Sequence, residues 1–87
     1  MTYYIARISD TQSDIEHIAT VLLDVNPDKI DEQLNIICAT WYSEDEPVAG
    51  DEDGYFYHIN GNIVFADGYQ QISKETFAEL RQFIPAY

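Results

Sequence analysis

Six carboxylates in the middle of the chain are the first residues that could do chemistry. They form two acidic triplets, at 44–46 and 51–53, and oxygen-rich loops of this kind can bind calcium. An EF-hand loop needs Gly at its sixth position and a bidentate Glu at its twelfth. With Gly54 in the sixth position, Ala49 would be first and Asn60 twelfth, so the pattern fails at both ends. We therefore predict a solvated acidic loop over residues 43–54 and no metal site.

One cysteine and two histidines are the other candidates. No Cys-x-x-Cys, His-x-x-x-His or His-Glu-x-x-His spacing connects Cys38, His17 and His58. A reactive thiol needs an electropositive, partly exposed setting, and the chain has only four Lys and Arg. Neither a Gly-rich phosphate loop nor a nucleophile elbow is present. We predict a protein that is not an enzyme and has no cofactor, with Cys38 as a buried apolar residue.

Charge is the most unusual property of the composition. Sixteen acidic residues against four basic ones give a formal charge of -12, and no Lys or Arg lies between Lys29 and Lys74. Such a field repels nucleic acid and anionic membranes and attracts basic protein surfaces. The sequence therefore predicts a basic protein partner, with no direct binding to nucleic acid or membrane. Acidity that serves only solubility, or a saline environment, is the alternative.

Tyrosines flank the acidic loop. Tyr42, Tyr55, Tyr57 and Tyr69 lie beside or after it, and a tyrosine offers a rigid apolar ring with a polar tip that packs well against Arg. The alternative is that these rings line the half-exposed face of a small sheet. We predict that Tyr42, Tyr55 and Tyr57 are packing anchors for a partner.

The N-terminal half of the chain predicts a strand and two helices. Residues 3–8 are aromatic and β-branched, which is typical of a strand. A first helix is expected to begin within 10–14 and to end near Asp24, because an apolar stripe follows helical spacing and Ser9 and Ser13 have capping-box spacing. The stripe consists of Ile15, Ile18, Ala19, Leu22 and Leu23. Asn26 and Pro27 predict the start of a second helix over 27–42, with a strand over 36–42 as the alternative.

The C-terminal half predicts a hairpin and a last helix. Asn60-Gly61 is a strong turn signal between strands over 55–59 and 62–66. With a two-residue turn, Phe56 would face Phe65 and His58 would face Ile63, while Tyr55, Tyr57, Ile59, Val64 and Ala66 would take the other face. Ser73 caps a helix predicted over 74–84, with an inner stripe of Phe77, Leu80 and Ile84 and with Pro85 as its stop.

These elements predict one α+β domain over residues 1–87. Their order is β-α-α-β-β-α, with a small, mostly antiparallel sheet packed on one face by about three helices. No basic segment followed by an apolar one opens the chain, and no apolar run approaches ~18 residues. We expect a cytoplasmic protein that is a monomer or a homodimer.

Size and charge together resemble small acidic inhibitors encoded by phages, including anti-CRISPR proteins and other DNA mimics. The resemblance implies an inhibitor that occupies the basic, nucleic-acid-binding surface of a protein target. Two alternatives stay open: an immunity or antitoxin protein that neutralises a basic nuclease toxin, and a housekeeping domain whose acidity is incidental. The residues predicted to stand in for phosphates are Glu44, Asp45, Glu46, Asp51, Glu52 and Asp53.

Overall fold

The computed structural model describes residues 1–87 and has the predicted α+β class. One four-stranded antiparallel sheet has the spatial order β2-β1-β4-β3. Two helices, not three, accompany it, and the order along the chain is β-β-α-β-β-α. The elements are β1 (Thr2–Gln12), β2 (Ile15–Val25), α1 (Ile30–Ala39), β3 (Phe56–Tyr57), β4 (Ile63–Ile72) and α2 (Lys74–Leu80), with a 3-10 turn at Pro27–Lys29 before α1.

The helix predicted between residues 10–14 and Asp24 is wrong, because this segment is strand β2. Every residue of β2 pairs with β1, from Thr2 opposite Val25 to Gln12 opposite Ile15. Ser13, predicted as a helix cap, instead takes a left-handed backbone conformation (φ 55°) in the tight turn between the two strands. The first two elements therefore form one long hairpin.

The second predicted helix is confirmed over most of its length. Asn26 caps its start by accepting a hydrogen bond from the backbone N–H of Asp28 (3.0 Å). α1 buries Ile30, Leu34, Ile37 and Cys38 and ends at Ala39, three residues earlier than predicted. The alternative strand over 36–42 is wrong.

The second hairpin has a different register from the predicted one. Phe56 pairs with Val64 and Tyr57 with Ile63, which is a shift by one residue. The loop has three residues, because His58 N–H bonds the carbonyl of Asn62 (2.9 Å) and Gly61 N–H bonds the carbonyl of His58 (3.0 Å). Gly61 takes the left-handed position that such a loop requires (φ 90°). The shift brings Val64 to the face of Phe56 and turns Phe65 to the other face.

The sheet is covered on both faces, not on one as predicted. α1 packs against a core on the first face, which includes Tyr4, Ile8 and Leu23. Successive side chains of a strand point to opposite faces, so the ring of Tyr3, next to Tyr4, lies on the second face. There it contacts Phe77 of α2, with the ring centroids 4.8 Å apart. We call this second face the open face, because α2 covers only its end.

The C-terminal residues add a short parallel pairing to the outer edge of β2. Leu22 N–H bonds the carbonyl of Pro85 (2.8 Å), and Tyr87 N–H bonds the carbonyl of Leu22 (2.8 Å). Ser73 caps α2 as predicted, accepting from the N–H of Thr76 (3.1 Å), but α2 ends at Leu80 and not at residue 84. No helix of the chain has the length and apolar character needed to cross a bilayer.

Candidate functional site

The acidic loop over residues 43–54 is bonded to the rest of the fold at Val48 and Gly50 and is bonded internally at Glu46. Glu46 N–H bonds the Ser43 hydroxyl (3.3 Å), and Val48 N–H bonds the carbonyl of Ala39 at the end of α1 (3.0 Å). Gly50 forms a β-bridge with Phe56. The loop therefore holds its acidic side chains on a hydrogen-bonded backbone.

Asp51 organises the second half of this loop. Its Oδ1 accepts the backbone N–H groups of Asp53 (2.9 Å) and Tyr55 (3.0 Å), and its Oδ2 accepts the hydroxyl of Tyr57 (3.2 Å). The bond from the Tyr55 backbone is the main reason why the pKa of Asp51 lies below its ordinary value. The predicted role of Asp51 as a phosphate stand-in stays a prediction, but its carboxylate already has three donors within the chain.

Acid should release the second half of the loop through Asp51. Because the folded-state pKa is depressed, its ionised form favours the folded loop above the ordinary pKa of 3.8, and this contribution is lost as the pH falls through the folded pKa. In a carboxyl-carbon NMR titration, Asp51 should titrate below 3.8. The variant Tyr57→Phe should raise that pKa, since one donor to the ionised form is removed. An Asp51 midpoint at or above 3.8 in the native protein would contradict this assignment.

Gly50 lies so close to the buried ring of Phe56 that a side chain at this position would force the ring to move. A Cβ atom at this position would be 2.6 Å from Cε2 and 2.7 Å from Cζ of Phe56, which is only 7% exposed. Gly50→Ala should therefore lower the free energy of unfolding by about 1–3 kcal/mol, as overpacking does. Urea unfolding measures this, and the same change in a Phe56→Leu background should cost less. An equal cost in both backgrounds would show that the ring contact is not the cause.

The other five carboxylates of the loop are exposed and unpaired. Both ion pairs of the structure lie elsewhere, Arg7 with Asp67 at 3.9 Å and Lys29 with Glu32 at 3.3 Å. No basic side chain neutralises the loop, so its negative charge faces solvent. These five residues are Glu44, Asp45, Glu46, Glu52 and Asp53.

Tyr42 joins the first half of the loop to the strands. Its hydroxyl donates to Asp10 of β1 and accepts from Nδ2 of Asn62 (2.6 Å), which also donates to Asp10 (2.9 Å). Desolvation and the carboxylate of Asp10 raise the pKa of Tyr42. The ring packs edge-on against His58 (5.1 Å) and remains 46% exposed. Sequence reasoning missed Asp10 and Asn62, because the contacts span 32 and 20 residues and no local pattern marks them.

Tyr55 and Tyr57 lie on the open face of the sheet. The Tyr55 ring packs edge-on against Phe65 (4.8 Å), and the Tyr57 ring is 56% exposed. Ile63 is the cross-strand partner of Tyr57 and shares this face. Val64, predicted on the same face as the two tyrosines, is opposite Phe56 on the core face instead.

The predicted site residues thus form two groups. In the first, Tyr42 and Glu46 line a hollow of about 260 Å³ together with Val48 and His58. In the second, Asp51 connects its acidic neighbours to Tyr57. No hydrogen bond or ion pair joins the two groups directly.

Neither the thiol nor the imidazoles offer a free reactive group at the site, because Cys38 and His58 are buried and His17 lies on a different strand. Cys38 is buried, and burial raises its pKa to about 11. His58 is also buried and donates from Nε2 to the carbonyl of Cys38 (2.8 Å). His17 is exposed on β2, not on a helix. No group of three or more His, Cys, Asp or Glu side chains is arranged to hold a metal ion.

Comparison with known proteins found no family model, no curated protein and no solved structure that matches this chain significantly.

Proposed function

We propose that this protein is a non-enzymatic inhibitor that binds the basic, nucleic-acid-binding surface of a protein target. The observation that carries the proposal is the acidic loop over residues 43–54: its backbone is hydrogen-bonded to the fold, while five of its carboxylates face solvent without a basic neighbour. Charges on a hydrogen-bonded segment lose less conformational entropy on binding than charges on a free chain. A target groove that accepts phosphates would accept such a loop.

The tyrosines beside the loop supply the apolar part of the proposed interface. Tyr57 presents an exposed ring next to the carboxylate of Asp51, and Tyr42 presents a half-exposed ring next to Glu46. A guanidinium group can pack on such a ring while it pairs with a nearby carboxylate. The target is therefore expected to use Arg as well as Lys at the contact.

Affinity capture followed by a salt titration tests this function. The tagged protein is used to recover partners from a lysate of its native host at about 50 mM salt, and binding to each purified partner is then measured up to about 200 mM. Affinity should fall steeply over this range, since the contact is electrostatic and exposed. An affinity that does not change with salt would contradict the proposal.

Competition separates a nucleic-acid mimic from any other acidic binder. If the loop occupies the groove of the target, an oligonucleotide that the target binds should displace the protein, and the protein should release the oligonucleotide. A ternary complex of target, oligonucleotide and inhibitor would show that the contact lies outside the groove.

A further inference from the structure

The outer edge of β2 is only partly paired. The C-terminal residues bond Leu22 and Asp24, which shows that these residues direct their backbone groups outward. Outward and inward backbone groups alternate along a strand, so Glu16, Ile18 and Thr20 direct theirs the same way. No strand or tail residue pairs with these three. A segment of edge five residues long, 16–20, is therefore open.

This segment carries one charged residue, Glu16, and otherwise lacks the devices that normally protect an edge strand. Lys, Pro and bulges are the usual ones, and β2 contains none of them. Instead it exposes Ile15 (62%) and Ile18 (47%). The opposite edge of the sheet is different, because β3 has two residues and Gly50 already bridges to Phe56 beyond it. The open edge of β2 is thus the place where this sheet can accept another strand.

We propose that a second copy of this chain pairs antiparallel with the open edge, about a two-fold axis at Ile18. In this register Ile18 lies opposite Ile18 of the other copy, and Glu16 lies opposite Thr20. Each of the three outward residues then exchanges two backbone hydrogen bonds with its opposite residue. The two sheets become one eight-stranded sheet, and the interface is the same patch on both copies, as two-fold symmetry requires.

Two features favour a copy of the chain over a different partner strand. The segment is self-complementary, since the reversed order of 16–20 places no acid opposite an acid. Residues 17–23 contain no acidic residue, so the axis lies where the repulsion between two chains of charge -12 is weakest. In this register the turn at residues 13–14 of the other copy lies level with Leu22, where the C-terminal tail pairs, so the tail has to move aside when the dimer forms. The contact is short, so the dimer is expected to be weak and to need high protein concentration.

Charge placed at Thr20 tests the register. Thr20→Lys sets a positive charge opposite Glu16 twice per dimer and should tighten the dimer about 2- to 30-fold, whereas Thr20→Glu should weaken it by a similar factor. Arg7, which is opposite Thr20 in the same chain, meets the new charge in the monomer and in the dimer alike. The matched controls are Gln71→Lys and Gln71→Glu, which make the same change of net charge at an exposed position of β4. Sedimentation velocity over a range of concentrations measures all five proteins. A native protein that stays monomeric up to about 0.5 mM, or Thr20 variants that behave like their Gln71 controls, would overturn the proposal.

A cysteine at the axis tests the geometry independently. Opposite residues in a hydrogen-bonded antiparallel pair have Cα atoms about 5.5 Å apart, which a disulfide can bridge. Ile18→Cys should therefore form a covalent dimer under mild oxidation, while Asn35→Cys, exposed on α1, should not. Equal crosslinking of both variants, or of neither, would overturn the proposed contact.

The salt dependence keeps this proposal separate from the proposed function. Added salt screens the repulsion between two acidic chains, so it should strengthen the dimer, whereas it should weaken binding to a basic target. Either proposal can fail while the other holds.

Discussion

Leu22→Ala and Leu23→Ala should each lower the free energy of unfolding by about 2–5 kcal/mol. Both side chains are 0% exposed, and a Leu→Ala change at such a site loses both the transfer energy and the packing around the cavity. The whole domain is expected to be stable by only ~4–13 kcal/mol, at ~0.05–0.15 kcal/mol per residue. Urea unfolding followed by tryptophan fluorescence measures the losses.

The control for this pair is Ile18→Ala, because Ile18 lies on the same strand and is 47% exposed. Its cost should be well below that of either leucine variant. A matching loss at all three positions would mean that burial does not set the cost.

The same two leucines explain why β2 was predicted as a helix. Adjacent residues of a strand point to opposite faces, so Leu22 and Leu23 are both buried only because this sheet is covered on both faces here. Burial on both faces removes the alternation that marks a strand, and the exposed Ile15 and Ile18 complete an apolar set at helical spacing. Its two partners leave no local signal in the sequence. β1 pairs with it through backbone atoms, and the C-terminal tail is distant in sequence. Local pattern therefore could not show this element.

Elements with local signals were predicted well. Asn26 and Ser73 cap helices through bonds to residues two and three positions away, so spacing alone reveals them. The turn at Gly61 was also recognised, but its loop length was not, because Asn-Gly suits both two- and three-residue loops. That difference of one residue reversed the faces of Val64 and Phe65.

The candidate site also has features that the sequence shows and contacts that it does not show. Its acidic and aromatic composition was visible in the sequence, and so was the loop that carries it. The contacts that hold the loop were not visible, since Tyr42 meets Asp10 across 32 residues. Asp51 shows the limit of reading charge alone, because its carboxylate bonds its own loop and differs in role from its neighbours.

Reversing the charge of the first acidic triplet should remove most of the binding to a basic target. The variant Glu44→Lys, Asp45→Lys, Glu46→Lys changes the formal charge from -12 to about -6 and turns one end of the loop positive. Electrostatic steering raises association rates by about 10- to 1000-fold, so the variant should associate more slowly by a factor in that range. Stopped-flow mixing with a purified target at low salt measures it.

A control variant with the same net charge distinguishes the effect of the loop on binding from the effect of the protein's overall charge. Asp14→Lys, Glu75→Lys and Glu79→Lys together make the same change of net charge at exposed positions outside the loop. If the loop is the contact, this control should lose far less affinity than the loop variant. Glu52→Lys with Asp53→Lys then tests the second triplet and leaves Asp51 to hold the backbone. Loss of binding that follows net charge alone, whichever residues are changed, would make the acidity a general property of the surface and would remove the loop as the site.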